Sequence, residues 1–278
     1  MKLFLTFFAS ALFTYSQSVA QPSTTSKPMA VTTVDAPTNR KLVWSDEFSR
    51  AGLPDSTKWR YDVGGNGWGN NELQFYTKSR SDNARVENGH LIIEARKEPF
   101  QGRNYTSARL LTKDTQSWTY GRIEVRAHIP AGRGTWPAIW MLGQQVAKVG
   151  WPLGGEIDIM EHVGWDENVI HGTIHSEAYN HKIGTQKGAP ITIPTATTAF
   201  HVYAIDWTAT RIDFFVDNQK YYSVNSAELG TTQQQWPFTQ PFHLLLNVAV
   251  GGGWGGQKGV DETIWPRRME VDYVRVYQ

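Results

Sequence analysis

Apolar and polar residues alternate with a period of two in many short runs along the chain, and the period of an amphipathic helix is almost absent. Ile123, Val125, Ala127 and Ile129 alternate with Arg122, Glu124, Arg126 and His128, which predicts a strand with one face in a core and the other against water. Ile212, Phe214 and Val216 repeat the pattern. A turn at residues 217–220 then leads to Tyr221 and Tyr222, so residues 211–225 read as a hairpin. Further strands are expected at 42–48, 91–96, 108–112, 138–142, 156–163, 171–175, 201–207, 242–250 and 269–277. No internal repeat and no linker interrupts residues 41–278, which predicts a single all-β domain built as a two-sheet sandwich or jelly roll. A propeller would need repeated blades.

The first forty residues break this pattern. Lys2 precedes an apolar run at 3–13 that is too short to cross a bilayer, and Ser18-Val19-Ala20 sets small residues at both cleavage-determining positions. The expectation is a secretory signal peptide cut after Ala20, followed by a flexible Ser/Thr/Pro-rich leader at 21–40. Without a cysteine there is no lipid attachment, so the protein is expected free in the periplasm or the medium, with no membrane anchor.

Composition narrows the chemistry. Lys and Arg total 27 against 26 Asp and Glu, a balance that supplies no electrostatic footprint for nucleic acid or an anionic membrane. The absence of cysteine removes disulfides, thiol nucleophiles and thiolate metal sites. Twelve tryptophans suit either an aromatic core or flat faces for stacking sugar rings. No amphipathic docking helix is apparent, and a monomer is the default expectation.

The richest stretch is GGEIDIMEHVG at 154–164, with three carboxylates in six residues of otherwise strand-forming sequence. In an unbroken strand Glu156, Asp158 and Met160 share a face, while Glu161 points into the opposite layer, where an ionised carboxylate needs a partner. One extra residue accommodated as a bulge near Ile159 or Met160 turns all three acids to one face. Acids so converged repel one another when ionised, so at least one holds its proton. A neutral acid beside an ionised carboxylate is what retaining glycoside hydrolysis requires, with the two carboxyls about 5 to 5.5 Å apart. Asp158 would hold the proton network between them. A solvated edge strand carrying a charge run has the same spacing, and spacing alone leaves both readings open.

That stretch resembles the signature of glycoside hydrolase family sixteen in its bulged, laminarinase-type form. The likeness continues in family order through LVWSDEF at 42–48, GNNELQ at 69–74, NARVENG at 83–89, YTSAR at 105–109, YGRIE at 120–124, GTWPAIWML at 134–142 and VDYVRVY at 271–277. It implies a β-jelly-roll sandwich of two antiparallel sheets with an open concave cleft, and endo-hydrolysis of β-1,3-glucan such as laminarin, which together with the expected signal peptide gives a secreted enzyme. By matching positions Glu156 is the nucleophile, Glu161 the acid/base and Asp158 the assisting acid, with no cofactor for catalysis. Asn71, Arg109 and Asn247 match sugar-binding positions, and Arg109 is also expected to stabilise the charged nucleophile. Trp136 and Trp140 share a strand face, and at least one is expected to be a stacking platform, although both also suit a core. Trp151 is expected to wall the donor side. His175 is expected near the cleavage point, or else as an ordinary satisfied polar residue. Trp254, after Gly251-Gly252-Gly253, is expected to meet ligand. Glu47, Gly89 and Asp272 match positions that hold a structural calcium ion on the convex side, although ordinary surface acids would look the same.

Two other functions fit the same fold. A non-catalytic glucan-binding module would use cleft aromatics, but gains nothing from three mutually repelling acids. A mixed-linkage endo-β-1,3-1,4-glucanase remains open, whereas sulfated galactans would call for a cluster of Lys and Arg near the acidic strand.

Overall fold

The computed structural model describes residues 39–278; the expected signal peptide and nearly all of the expected leader lie outside the described residues. The first half of the described chain forms β1 (Leu42–Asp46), β2 (Arg60–Asp62), β3 (Gln74–Tyr76), β4 (Ala84–Glu87), β5 (His90–Phe100), β6 (Arg103–Ser107), β7 (Arg109–Leu111), β8 (Gly121–His128) and β9 (Thr135–Gly143). The second half adds β10 (Glu156–Glu161), β11 (Val169–His175), β12 (Lys187–Thr192), β13 (His201–Trp207), β14 (Arg211–Val216), β15 (Gln219–Asn225), β16 (Phe242–Val250) and β17 (Arg267–Tyr277). Two one-turn helices, Val146–Val149 and Ser226–Leu229, and a 3₁₀ turn at His181–Ile183 complete the elements.

The strands form two layers. One sheet has the order β12-β11-β10-β9-β16-β7-β2; the other runs β15-β14-β13-β8-β17-β5-β6-β3, with β1 added on β17 and β4 on β5. Between them, the odd-numbered residues Ile123, Val125 and Ala127 of β8 face Ile139 and Met141 of β9 and Leu244, Leu246 and Val248 of β16 within one buried cluster. Burying each large side chain there contributes about 1.5–3 kcal/mol. The all-β sandwich expected from the alternation is therefore the fold observed.

Three details differ from expectation. The β3–β6 ladder is parallel, because β4 and β5 intervene and return the chain in its original direction. Strands β2, β3, β4, β6 and β12 escape the hydrophobic pattern, being short or at an edge; β12 even carries Pro190, which an edge strand tolerates. The hairpin turn is tighter than predicted, since β15 already begins at Gln219 and Asp217 adopts a left-handed φ of 54°.

Candidate active site

Strand β10 lies near the middle of the seven-stranded sheet, between β9 and β11. Gly155 leads into it with φ 81°, and a Cβ there would stand 2.8 Å from Pro237 and 2.9 Å from Phe242, so only glycine allows this entry. On β9, Glu156 pairs with Leu142 and Asp158 with Trp140; the register then shifts, so that Met160 pairs with Ile139 and Glu161 with Ala138. Ile159 is the unpaired residue. Paired residues in antiparallel strands point the same way, so the acids join Ala138, Trp140 and Leu142 on the concave face, while Ile157, Ile159 and Met160 enter the core. The bulge expected from side-chain parity is present.

The concave face is a cleft with two lobes. One cavity of about 310 Å³ is walled by Trp68, Glu72, Arg109, Trp140, Trp151 and Asn247. A second, of about 520 Å³, is walled by His171, Thr173, His175, Gln186, Trp254 and Gln257. Glu156 and Glu161 border both lobes. A chain molecule lying along the cleft would cross the two acids between one aromatic and one more polar half.

Fixed donors hold the acids. Trp151 Nε1 donates to Glu156 Oε2 at 3.0 Å, and Trp136 Nε1 donates to Glu161 Oε1 at 3.0 Å. Trp140 Nε1 donates to Asn247 Oδ1 at 2.7 Å, which orients that amide in the cleft. His175 lies opposite Glu156 on β11, with Nε2 3.3 Å from Asp158 Oδ2 and 3.8 Å from Glu156 Oε1. Glu156 and Asp158 each have an oxygen within 4.8 Å of the other. Burial pushes the Glu156, Asp158 and Glu161 carboxyls each up to about 8, and the charge of Asp158 adds to the rise at both glutamates. At neutral pH the trio therefore retains protons. Burial also holds His162 down to about 4 and lowers His171, so neither of these two is a proton donor at neutral pH.

The residues expected to bind sugar divide into those the cleft contains and those it does not. Trp136, Trp140, Trp151 and Asn247 line the first lobe, His175 and Trp254 the second. The Gly251-Gly252-Gly253 run brings backbone against this wall: Gly252 has φ 80°, a Cβ on it would meet Asn70 O at 3.0 Å, and Gly253 N donates to that same oxygen at 2.6 Å. Asn71 is a correction. It is exposed and left-handed, φ 57°, at the end of a turn in which Asn70 N and Glu72 N both donate to Gly67 O, and the turn faces Asn70 into the cleft instead. Arg109 lines the cleft but does not reach the nucleophile position. It pairs with Asp62 at 3.0 Å and lies between the Trp68 and Trp140 rings, 4.8 and 4.6 Å from their centroids.

Sequence reasoning missed Trp68, Asn70, His181 and a fourth cleft carboxylate, the buried Glu72. Gln74 Nε2 donates to Glu72 at 2.6 Å and Tyr76 OH at 3.2 Å, yet burial still raises its carboxyl above the ordinary range. These residues sit in loops or turns, where no periodicity marks which side chain faces inward. The only cue was the Glu-Leu-Gln alternation at 72–74, whose even members are buried.

Comparison with known proteins agrees with this geometry. Residues 71–275 match the family described as Glycosyl hydrolases family 16. A β-glucanase of Rhodothermus marinus is 60% identical over 243 residues, covering 86% of this chain and 85% of that protein. The X-ray structure of the laminarinase from Rhodothermus marinus superposes with a TM-score of 0.84 at 59% identity, covering 86% of this chain and 97% of the other. The crystal structure of SCLam, a non-specific endo-β-1,3(4)-glucanase, superposes with a TM-score of 0.82 at 50% identity, covering 91% of this chain and 94% of the other.

Proposed function

The chain belongs to glycosyl hydrolase family 16, and from that premise we propose that it cleaves internal β-1,3 bonds of laminarin-like glucans with retention of anomeric configuration. The observation that carries this reading is the bulge at Ile159, which turns Glu156, Asp158 and Glu161 to one face where both glutamates border the two lobes of the cleft. Glu156, ionised while the protons of the trio rest on Asp158 and Glu161, attacks the anomeric carbon as Glu161 protonates the departing glycosidic oxygen, leaving a glycosyl-enzyme ester. Glu161, now ionised, then takes a proton from water as that water attacks the ester carbon, and Glu156 leaves as a carboxylate. Asp158, beside Glu156, keeps protons within the trio. No cofactor takes part in this chemistry.

The test is Glu156→Gln and Glu161→Gln assayed on laminarin. Each should lower kcat by about 10²–10⁴-fold or more while leaving the far-UV circular dichroism spectrum unchanged. Wild-type rates in either variant would refute the assignment. Similarity to a non-specific endo-β-1,3(4)-glucanase favours acceptance of mixed-linkage glucan as a second substrate. Product profiles on laminarin and barley glucan, with anomers followed by NMR, separate linkage choice and retention together.

Calcium is proposed as a structural ligand. Asp46 lies opposite Val274 and Leu91 opposite Val271, pairings that support a site shared by Glu47, Gly89 and Asp272 beside β17. Two carboxylates and a carbonyl there suit a hard cation. At present Arg275 grips Glu47 at 3.0 and 2.8 Å, and Arg126 grips Asp272, so an ion would enter against two arginines. We further propose that the chain acts as a monomer outside the cytoplasm; the cleft is complete within one chain, and N-terminal sequencing of exported protein with light scattering would check both statements.

A further inference from the structure

We propose that Glu156, Asp158 and His175 form a binding site for a divalent transition-metal ion such as Zn²⁺, and that the bound ion reversibly closes the cleft. One donor atom from each residue lies within 4.8 Å of the other two. His175 Nε2 stands 3.3 Å from Asp158 Oδ2 and 3.8 Å from Glu156 Oε1. Zinc holds imidazole nitrogen and carboxylate oxygen at about 2.0–2.2 Å, which sets neighbouring donors around a tetrahedral ion about 3.3–3.5 Å apart. The two distances from His175 already stand close to that spacing.

A separate observation points to a ligand. Asp158 is only 3% exposed, and among the described residues its Oδ2 has no hydrogen-bond partner although it faces the His175 ring. A buried acceptor in that condition is costly, and a cation beside it removes the cost. Glu156 Oε2 is taken by Trp151, which leaves Oε1, the atom facing His175, for the ion. Glu156 and Asp158 both line the first lobe, which leaves room for a water to complete a four-coordinate shell.

The donor set also selects the metal. Two carboxylates and one imidazole suit zinc or copper, whereas calcium prefers six to eight oxygens at about 2.3–2.6 Å and cannot complete such a shell here. His175 Nδ1 has no protein partner among the described residues; the ring is held by packing, with the Trp151 and His181 centroids 5.9 and 5.1 Å away. Without an acceptor to fix the tautomer, affinity is moderate and the ion exchanges. Binding of the ion stands on this geometry alone. Its consequence, exclusion of glucan from the attacking oxygen of Glu156, rests on the function proposed above.

The experiment is calorimetric titration of ZnCl₂ into metal-free wild-type enzyme, with Co²⁺ as a visible-absorption probe of the same site. The expected result is one displaceable ion per chain, with affinity lowered about 100-fold in His175→Gln and in Asp158→Asn but retained in His171→Gln. A β-1,3-linked glucose trisaccharide should compete with Co²⁺, and Ca²⁺ should not. Circular dichroism identifies any variant that fails to fold, and the other then carries the comparison. Absence of binding, equal affinity in the folded variants, or Co²⁺ bands unmoved by the trisaccharide would overturn the proposal. Loss of hydrolysis in Glu156→Gln with no metal binding in wild type would sink the metal site alone; metal binding with undiminished hydrolysis in Glu156→Gln would sink the proposed catalysis alone.

Discussion

At the scale of single residues, the cleft works by placing charge where water is scarce. Burial, and then the charge of Asp158, raise Glu161 to about 8, so hydrolysis should fall as pH rises through about 8, when the acid/base loses its proton. Asp158→Asn removes the negative neighbour that raises both glutamates. The alkaline limb of kcat/KM should then move to lower pH by about one unit, and a limb that stays in place would refute the electrostatic coupling. Tryptophan serves two ends in this chain. Trp59, Trp118 and Trp207 fill the core, whereas the indole N–H groups of Trp136 and Trp151 hold the two glutamates. Composition announced the excess of indoles but not this division, because a strand position shows which face a residue takes and not what meets it there.

At the scale of the element, the bulge in β10 is a parity device. Excising Ile159 would leave Asp158, Met160 and Glu161 opposite Trp140, Ile139 and Ala138 in regular register, with all three acids still facing the cleft. That deletion should retain measurable laminarin hydrolysis with some loss of stability from the missing core side chain. Deleting Ile157 instead slips the strand between Glu156 and Asp158, so the acids can no longer share a face, and hydrolysis should disappear. Equal activity of the two deletions on laminarin would show that parity does not govern the site. The bulge was legible in the sequence because a charged residue at a core-facing position violates the alternation that surrounds it. The facing of Asn70 rather than Asn71 was not, since a turn closed on Gly67 O has no period to read.

At the scale of the whole molecule, stability and function pull in opposite directions. A carboxyl whose proton is held more tightly in the folded state stabilises the fold fully below its unfolded pKa, and that contribution is lost as pH rises through the folded value. For Glu161 the window runs from 4.5 to about 8. Glu161→Gln should therefore melt several degrees higher than wild type at about pH 9 and show no such advantage near pH 4. A second whole-molecule prediction concerns the seam between β1, β5 and β17, which gathers distant parts of the chain. Calcium at a hundredfold excess over its Kd should add about 2.7 kcal/mol of stability, read as a higher Tm that chelator reverses and Glu47→Gln abolishes. A Tm indifferent to calcium would remove that site. The sequence by itself determined the all-β class, the two-layer arrangement and the bulged acidic strand, because each follows from a period of two and from the cost of burying charge. Only the tertiary structure decided that Glu72 joins the cleft, that Arg109 is held by Asp62 and two indoles away from the nucleophile, and that His175 faces Asp158. Those contacts link residues far apart in the chain or set by loop geometry, and no local pattern encodes the distance between strands that meet only after the sheets have closed.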